Sequence, residues 1–183
     1  MAPRRPLTRR PVLSVVAVPL DEARVLTTPW RGPHSLDAHV TIAAPFLDPS
    51  VIDDHVVRAL HTCLAHVPSF DVVFRRVAWF DERVVYVAPD DPTPFEALAR
   101  TVARCFPTQT PADDTGTYVA HLTVAKNRPA SELTRAATSS AALLPLRARA
   151  TEVALYLVDR ASGSWQARTR IPLTAITQTD EKG

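Results

Sequence analysis

Apolar and polar residues alternate along this chain with two different periods, and each change of period marks an element. Val12 to Pro19 (VLSVVAVP) is almost wholly apolar and β-branched, which predicts a buried strand. Asp21 to Thr28 fits a short helix, and Trp30 to Ala38, with Gly32-Pro33 as its breaker, reads as a loop. The loop delivers a strand at His39–Ile42 that Pro45 ends. After Asp48-Pro49-Ser50 the period lengthens: Ile52, Val56, Leu60 and Leu64 lie four apart and predict a helix over 51–67. His55, His61 and His66 fall largely off that stripe and read as solvated. Phe70–Phe80 and Arg83–Ala88 predict a hairpin turning at Asp81-Glu82. Phe95, Leu98, Val102 and Phe106 stripe a second helix, which Pro107 stops. A polar loop, Thr108–Gly116, leads to a strand at Tyr118–Lys126, a helix over 130–144 and closing strands at Arg147–Asp159 and Trp165–Leu173.

The pattern repeats. His39-Val40-Thr41-Ile42 and His121-Leu122-Thr123-Val124 share one formula, His-aliphatic-Thr-aliphatic, each in strand context. Because successive strand residues face opposite ways, His and Thr share one face of each copy and the aliphatic residues take the other. Each copy is followed by a helix, a strand, a turn and a strand. That parallel predicts an internal duplication: two lobes of one unit spanning 11–174, with a site in the cleft between them. Residues 1–10 read as a flexible basic arm and 175–183 as a polar tail.

Composition adds little to this. At 183 residues, 46% hydrophobic and 22% charged, the chain is ordinary for a globular protein. A net charge of +2 fits an anionic ligand without demanding one. Four glycines and no Gly-rich phosphate loop argue against nucleoside-triphosphate chemistry. Cys63 and Cys105 form no CxxC, and reduced thiols in a cytoplasmic protein are the simplest expectation. Arg4, Arg5, Arg9 and Arg10 before an apolar run resemble a signal peptide only faintly, since the run is short and holds Pro19. No apolar run is long enough to span a bilayer.

If the two polar faces meet, two imidazoles and two hydroxyls converge, a constellation suited to proton transfer at a phosphate. A metal site would need a third or fourth ligand, and no carboxylate or Cys recurs beside both motifs; Asp37 flanks only the first. The paired motifs, with Pro45-Phe46 soon after the first and Lys126 soon after the second, resemble the two-histidine phosphoesterase superfamily, and particularly its 2′-5′ RNA ligase-like branch. The resemblance runs from about Val12 to Leu173. Ala43-Ala44 departs from it, standing where many relatives have a bulkier residue.

The resemblance implies an α+β, bilobal, duplicated fold: two facing antiparallel-rich sheets with outer helices and a central cleft. It implies a phosphodiesterase or RNA ligase-like enzyme without metal or cofactor, acting on a 2′,3′-cyclic phosphate or a 2′-5′ linkage of RNA ends or a small nucleotide. His39 and His121 would be the acid–base pair, with His121 as base and His39 as acid, and Thr41 and Thr123 would bind the phosphate. Phe46 and Trp30 are candidates to stack on a base, and Lys126 and Arg128 to reach the phosphate. In a regular strand Lys126 and Tyr118 would point away from His121. The chain is expected to act as a monomer, away from membranes. Two other readings remain open from the residues: a module that binds RNA ends or cyclic nucleotides without turnover, and a metal-dependent hydrolase.

Overall fold

The computed structural model describes residues 12–32, 35–107, 118–159 and 163–175. The basic arm, the loop at 108–116 and the tail beyond Ala175 lie outside the described residues. The elements are strand β1 (Val12–Pro19), a short helix α1 (Arg24–Thr27) between two 3-10 turns, strand β2 (His39–Ala43) and helix α2 (Asp54–Leu64). Strands β3 (Phe70–Phe80) and β4 (Val84–Pro89), helix α3 (Thr93–Cys105), strand β5 (Leu122–Lys126) and helix α4 (Ala130–Ala141) follow. Strands β6 (Leu146–Ala150), β7 (Glu152–Asp159) and β8 (Ser164–Pro172) close the chain.

All eight strands form one antiparallel sheet in the order β6-β3-β4-β5-β2-β1-β7-β8. The two motif strands, β2 and β5, lie side by side at its centre and divide it into two lobes of four strands. The lobes join through a narrow seam whose registered pair is Val40 with Leu122. The expected α+β duplicated architecture is therefore present, with the two sheets continuous through that seam.

The predicted strand Arg147–Asp159 is in fact two. It breaks at Thr151; β6 pairs with β3 at one edge of the sheet, and β7 pairs with β1 in the other lobe. Each motif strand thus shares its lobe with the hairpin that follows the other motif: β3–β4 beside β5, and β7–β8 beside β1 and β2. A crossover of this kind leaves no trace in local periodicity, because both strands alternate normally on either side of the break.

Local chemistry explains the boundaries. Helix α2 starts where the Asp53 side chain accepts a hydrogen bond from Val56 N–H at 2.9 Å, and that bond holds the Asp53 carboxyl below its ordinary value. Asp48 instead caps a preceding 3-10 turn through Ser50 N–H at 2.8 Å. The β3–β4 turn places both Asp81 and Glu82 in the left-handed region, with φ of 47° and 55°, the backbone that matches a tight hairpin's twist.

The helices cover one face of the sheet. Val16, Val18, Val40, Val85, Val87, Leu122 and Leu155 are fully buried there with Leu60, Leu64, Phe95 and Leu98 of the helices. Burial of each such side chain contributes about 1.5–3 kcal/mol. The opposite face of the first lobe carries a smaller cluster of Val15, Ala17, Ala154, Tyr156 and Val158, with Leu36, Ala44 and Trp165 packed on it. No described helix is long and apolar enough to cross a membrane.

Two expectations are corrected here. Cys63 and Cys105 are not free thiols: a disulfide joins them, linking the ends of α2 and α3. The packing of these helices brings together cysteines 42 positions apart, which composition cannot reveal, and the argument from reduced thiols for a cytoplasmic site falls with it. His61 is not a plain surface residue either; its Nε2 lies 2.8 Å from Thr169 Oγ1 of β8, pinning α2 to the sheet edge. His55 and His66 are exposed, as expected.

Candidate active site

The two motifs adopt the same structure. In HVTIA of β2 and in HLTVA, which runs from His121 into β5, the residues are half-buried, buried, half-buried, buried, buried. Both strands carry a β-bulge directly after the threonine. In β2, Ala17 faces Thr41 while Val16 faces Ala43; in β5, Tyr86 faces Thr123 while Val85 faces Ala125. Ile42 with Ala43, and Val124 with Ala125, are the consecutive buried pairs that result.

The bulge corrects the expectation for Lys126. One extra residue shifts the alternation, so Lys126 pairs with Val84 and shares the face of Thr123 and Tyr86. Lys126 therefore lies on the cleft side with the histidines, and its charge acts on His39. The sequence carries a signal for this: two adjacent apolar residues in each motif, IA and VA, break strict alternation.

Register brings the motifs together. Val40 faces Leu122 across the seam, so the same antiparallel register sets His39 beside Thr123 and Thr41 beside His121. Each imidazole is held by one bond of the same kind: His39 Nδ1 to the Asp37 carbonyl and His121 Nδ1 to the Val119 carbonyl, both at 2.8 Å. A carbonyl only accepts, so Nδ1 carries the proton in both neutral rings and leaves the lone pair on Nε2. The Tyr118 hydroxyl donates to the Thr41 carbonyl at 3.0 Å and stitches the second motif's approach to the first motif's strand; burial raises its pKa above the ordinary value.

Aromatic side chains that sequence reasoning did not single out flank both rings. The Trp165 ring centroid is 5.6 Å from that of His39, and Tyr156 meets Trp165 edge-on at 5.9 Å. On the other side Phe80 and Tyr86 stack at 4.2 Å, and their centroids lie 5.0 and 5.4 Å from His121. These residues come from β8, β7, β3 and β4, strands whose place beside the motifs only the sheet order reveals. The charge of Arg31 acts on His39 more strongly than that of Lys126 or His121. Crowding strips water from the His39 ring, and this burial lowers its pKa to about 4; the Asp37 carbonyl bond opposes the shift, and the neighbouring cations add to it.

The remaining candidates lie apart from this cluster. Phe46 is buried in the main core, edge-on to Phe106 at 5.0 Å, and presents no face to a ligand. Trp30 is half-buried under the Arg135 guanidinium at 5.7 Å. Arg128 donates Nε and Nη2 to the Trp30 carbonyl at 3.1 and 2.8 Å, and Nη1 to Glu132 at 2.8 Å. It lines a cavity of about 560 Å³ with Glu82, Arg83 and Asn127, to which no motif residue contributes. Among the described residues no three His, Cys, Asp or Glu side chains are grouped to hold a metal ion.

Comparison with known proteins places this architecture. The family model of the 2′-5′ RNA ligase superfamily matches residues 13–162. Solved structures with the same fold include E. coli LigT complexed with NADP+ (21% identity, TM-score 0.58) and E. coli LigT complexed with 3′-AMP (18%, 0.56); each alignment covers 90% of this chain and 99% of the other. TT0787 of Thermus thermophilus matches at 15% identity and TM-score 0.58, over 89% of this chain and 98% of its own. No curated protein sequence matches. With a family match over most of its length and paired motifs at the seam of a duplicated sheet, the chain belongs to the 2′-5′ RNA ligase superfamily, the two-histidine phosphoesterases.

Proposed function

We propose that the protein is a metal-independent phosphodiesterase that uses His39 and His121 as a general acid–base pair on a 2′,3′-cyclic phosphate or a 2′-5′ diester. The observation that carries this reading is the shared fixing of the two imidazoles: on adjacent strands, on one face, each committed through Nδ1 to a carbonyl two residues back. Nothing in packing requires two rings to be presented alike, whereas proton transfer on both sides of a phosphate does. That relatives of this fold have been obtained with 3′-AMP and NADP+ supports a ligand of nucleotide size.

Desolvation of the His39 ring favours a division of labour that is the reverse of the one the family resemblance implies. With its pKa near 4, His39 is neutral in the empty site at neutral pH and ready to accept a proton. Water attacks phosphorus in line and gives its proton to His39 Nε2; the bond to the ribose oxygen breaks, and that oxygen takes a proton from His121 Nε2. Thr41 and Thr123 hydroxyls donate to the non-bridging oxygens, and Lys126 offsets the charge they gain. In the ligation direction a 5′-hydroxyl takes the place of water.

The test is turnover of a panel of 2′,3′-cyclic nucleotides and 2′-5′-linked dinucleotides in excess EDTA, beside His39→Ala and His121→Ala. Turnover that survives EDTA and vanishes in both variants is expected. Full activity in either variant, or loss on chelation, would overturn the mechanism. Binding of the panel without any product would point instead to a non-catalytic module.

A further inference from the structure

Three buried side-chain polar atoms among the described residues have no hydrogen-bond partner: Arg31 Nη1, Ser140 Oγ and Tyr156 Oη. Arg31 is the costly one, because its unpaired N–H belongs to a full charge. The local arrangement does not relieve it. Asp37, the carboxylate that favours its charge, is bonded to Arg24 at 2.9 Å, and Arg24 adds repulsion. Yet the loop is built to keep Arg31 in place. Arg128 grips the carbonyl of Trp30, the preceding residue, with two donors, Glu132 fixes Arg128, and Arg135 covers the Trp30 ring. The backbone beside Arg31 is fixed in this way while its guanidinium keeps one buried donor without a partner, and an anion is the group that would satisfy it.

Its position says which anion. Arg31 lies in the loop that enters β2, close enough to dominate the other cations acting on His39. The duplication sharpens the point: five residues after its histidine, the second lobe has Lys126 on the cleft face, while the first lobe has Ala44, packed in an apolar cluster. The first lobe's strands thus offer no cation at the position where the second lobe offers one.

We propose that Arg31 is a catalytic residue that donates its guanidinium N–H to a non-bridging oxygen of the scissile diester on the His39 side, so that each lobe supplies one fixed cation to the phosphate. The proposal rests on the phosphodiesterase reading above for its substrate and extends it. A planar fork suits this role, since it can fill two lone-pair directions of one phosphate while Thr41 takes a third. It assigns Arg128 a positioning role, holding the Trp30 carbonyl and through it Arg31.

The experiment compares the wild type with Arg31→Met and Arg31→Lys, each first checked for an unchanged melting curve. Three readouts are taken: kcat/KM on the diester the wild type turns over, the rate ratio between the two phosphorothioate diastereomers of that diester, and the affinity for inorganic phosphate by calorimetry. Arg31→Met is expected to lower kcat/KM about 10²–10³-fold, mostly in kcat, to shrink the diastereomer ratio and to weaken phosphate. Arg31→Lys is expected to recover part of each, as a point charge without the fork. Unchanged phosphate affinity and an unchanged diastereomer ratio in Arg31→Met would overturn the proposal while leaving the histidine mechanism standing. If the wild type turns over nothing, phosphate affinity still decides: weakening in Arg31→Met supports the anion grip on its own, and no weakening overturns it.

Discussion

The two lobes hold the same His-aliphatic-Thr-aliphatic formula in the same way and surround it differently. Burial order, the bulge after the threonine and the Nδ1 bond to a carbonyl two residues back are common to both. What stands around each ring is not. His39 lies against Trp165 with the charge of Arg31 acting on it and Ala44 five residues on; His121 lies against stacked Phe80 and Tyr86 with Lys126 five residues on. The repeated backbone presents two imidazoles alike, and the unrepeated surroundings make them inequivalent. A symmetric pair could not divide acid from base; the unequal walls provide a means.

The comparison breaks most completely at the rings themselves. His39→Ala and His121→Ala are each expected to cost about 10²–10⁴-fold or more in kcat, the range for a positioned acid or base. Asn at either position keeps shape without a titratable nitrogen and should cost as much, which single-turnover kinetics on the panel would check. The threonines come next. Thr41→Val and Thr123→Val remove one donor each while leaving the strand packed, and a loss of about 10²-fold in kcat is expected for each. Unequal losses would show which lobe bears more of the charge that develops.

Stability offers a separate handle on the shared frame. Leu122 is fully buried at the seam, opposite Val40. Leu122→Ala should destabilise the fold by about 2–5 kcal/mol, read from denaturant melts. Reducing the Cys63–Cys105 disulfide, which closes a loop of 42 positions, should cost about 2–4 kcal/mol while leaving the motif strands intact.

The parts of this arrangement that sequence reveals are those with a local cause. Alternation places His39 with Thr41 and His121 with Thr123, and the repeated formula predicts two lobes. The β3–β4 turn at Asp81-Glu82 is legible because two polar residues separate two apolar runs. What stays hidden depends on residues far apart in the chain. Phe80, Tyr86 and Trp165 become site walls only once β3, β4 and β8 are ordered around the motifs. Thr151 breaks a continuous strand pattern because β6 and β7 find partners in different lobes. Arg31 reads as any loop arginine; only its unpaired, buried nitrogen sets it apart. Lys126 is the intermediate case: regular alternation turns it away from His121, and the bulge after Thr123 turns it back.

The pH profile then tests the inequality of the two rings. His39 has a folded pKa of about 4, below the ordinary 6.5, so its neutral form is the one the fold favours. Stability tied to that neutral form is present above about pH 6.5 and is lost as pH falls through 6.5 toward 4, where the unfolded chain binds the proton first. The low-pH limb of kcat/KM, which reports the free enzyme, should accordingly lie well below about pH 6.5 if His39 is the base. A limb near the ordinary imidazole value or above would return the base to His121.

Lys126→Met is the smallest of these changes and the most discriminating. Lys126 is exposed, and its charge lowers the His39 pKa, though less than Arg31 does. Removing it should move the low-pH limb upward, toward the ordinary value, and lower kcat/KM at neutral pH up to about fivefold, the scale of one exposed charge. Added salt should reproduce part of the pH shift in the wild type and little of it in the variant, because screening and deletion remove the same interaction. A limb that moves with salt but not with Lys126→Met would mean that the cation felt by His39 belongs to the first lobe alone. The asymmetry would then rest on Arg31, with the second lobe contributing its imidazole, its threonine and its aromatic wall.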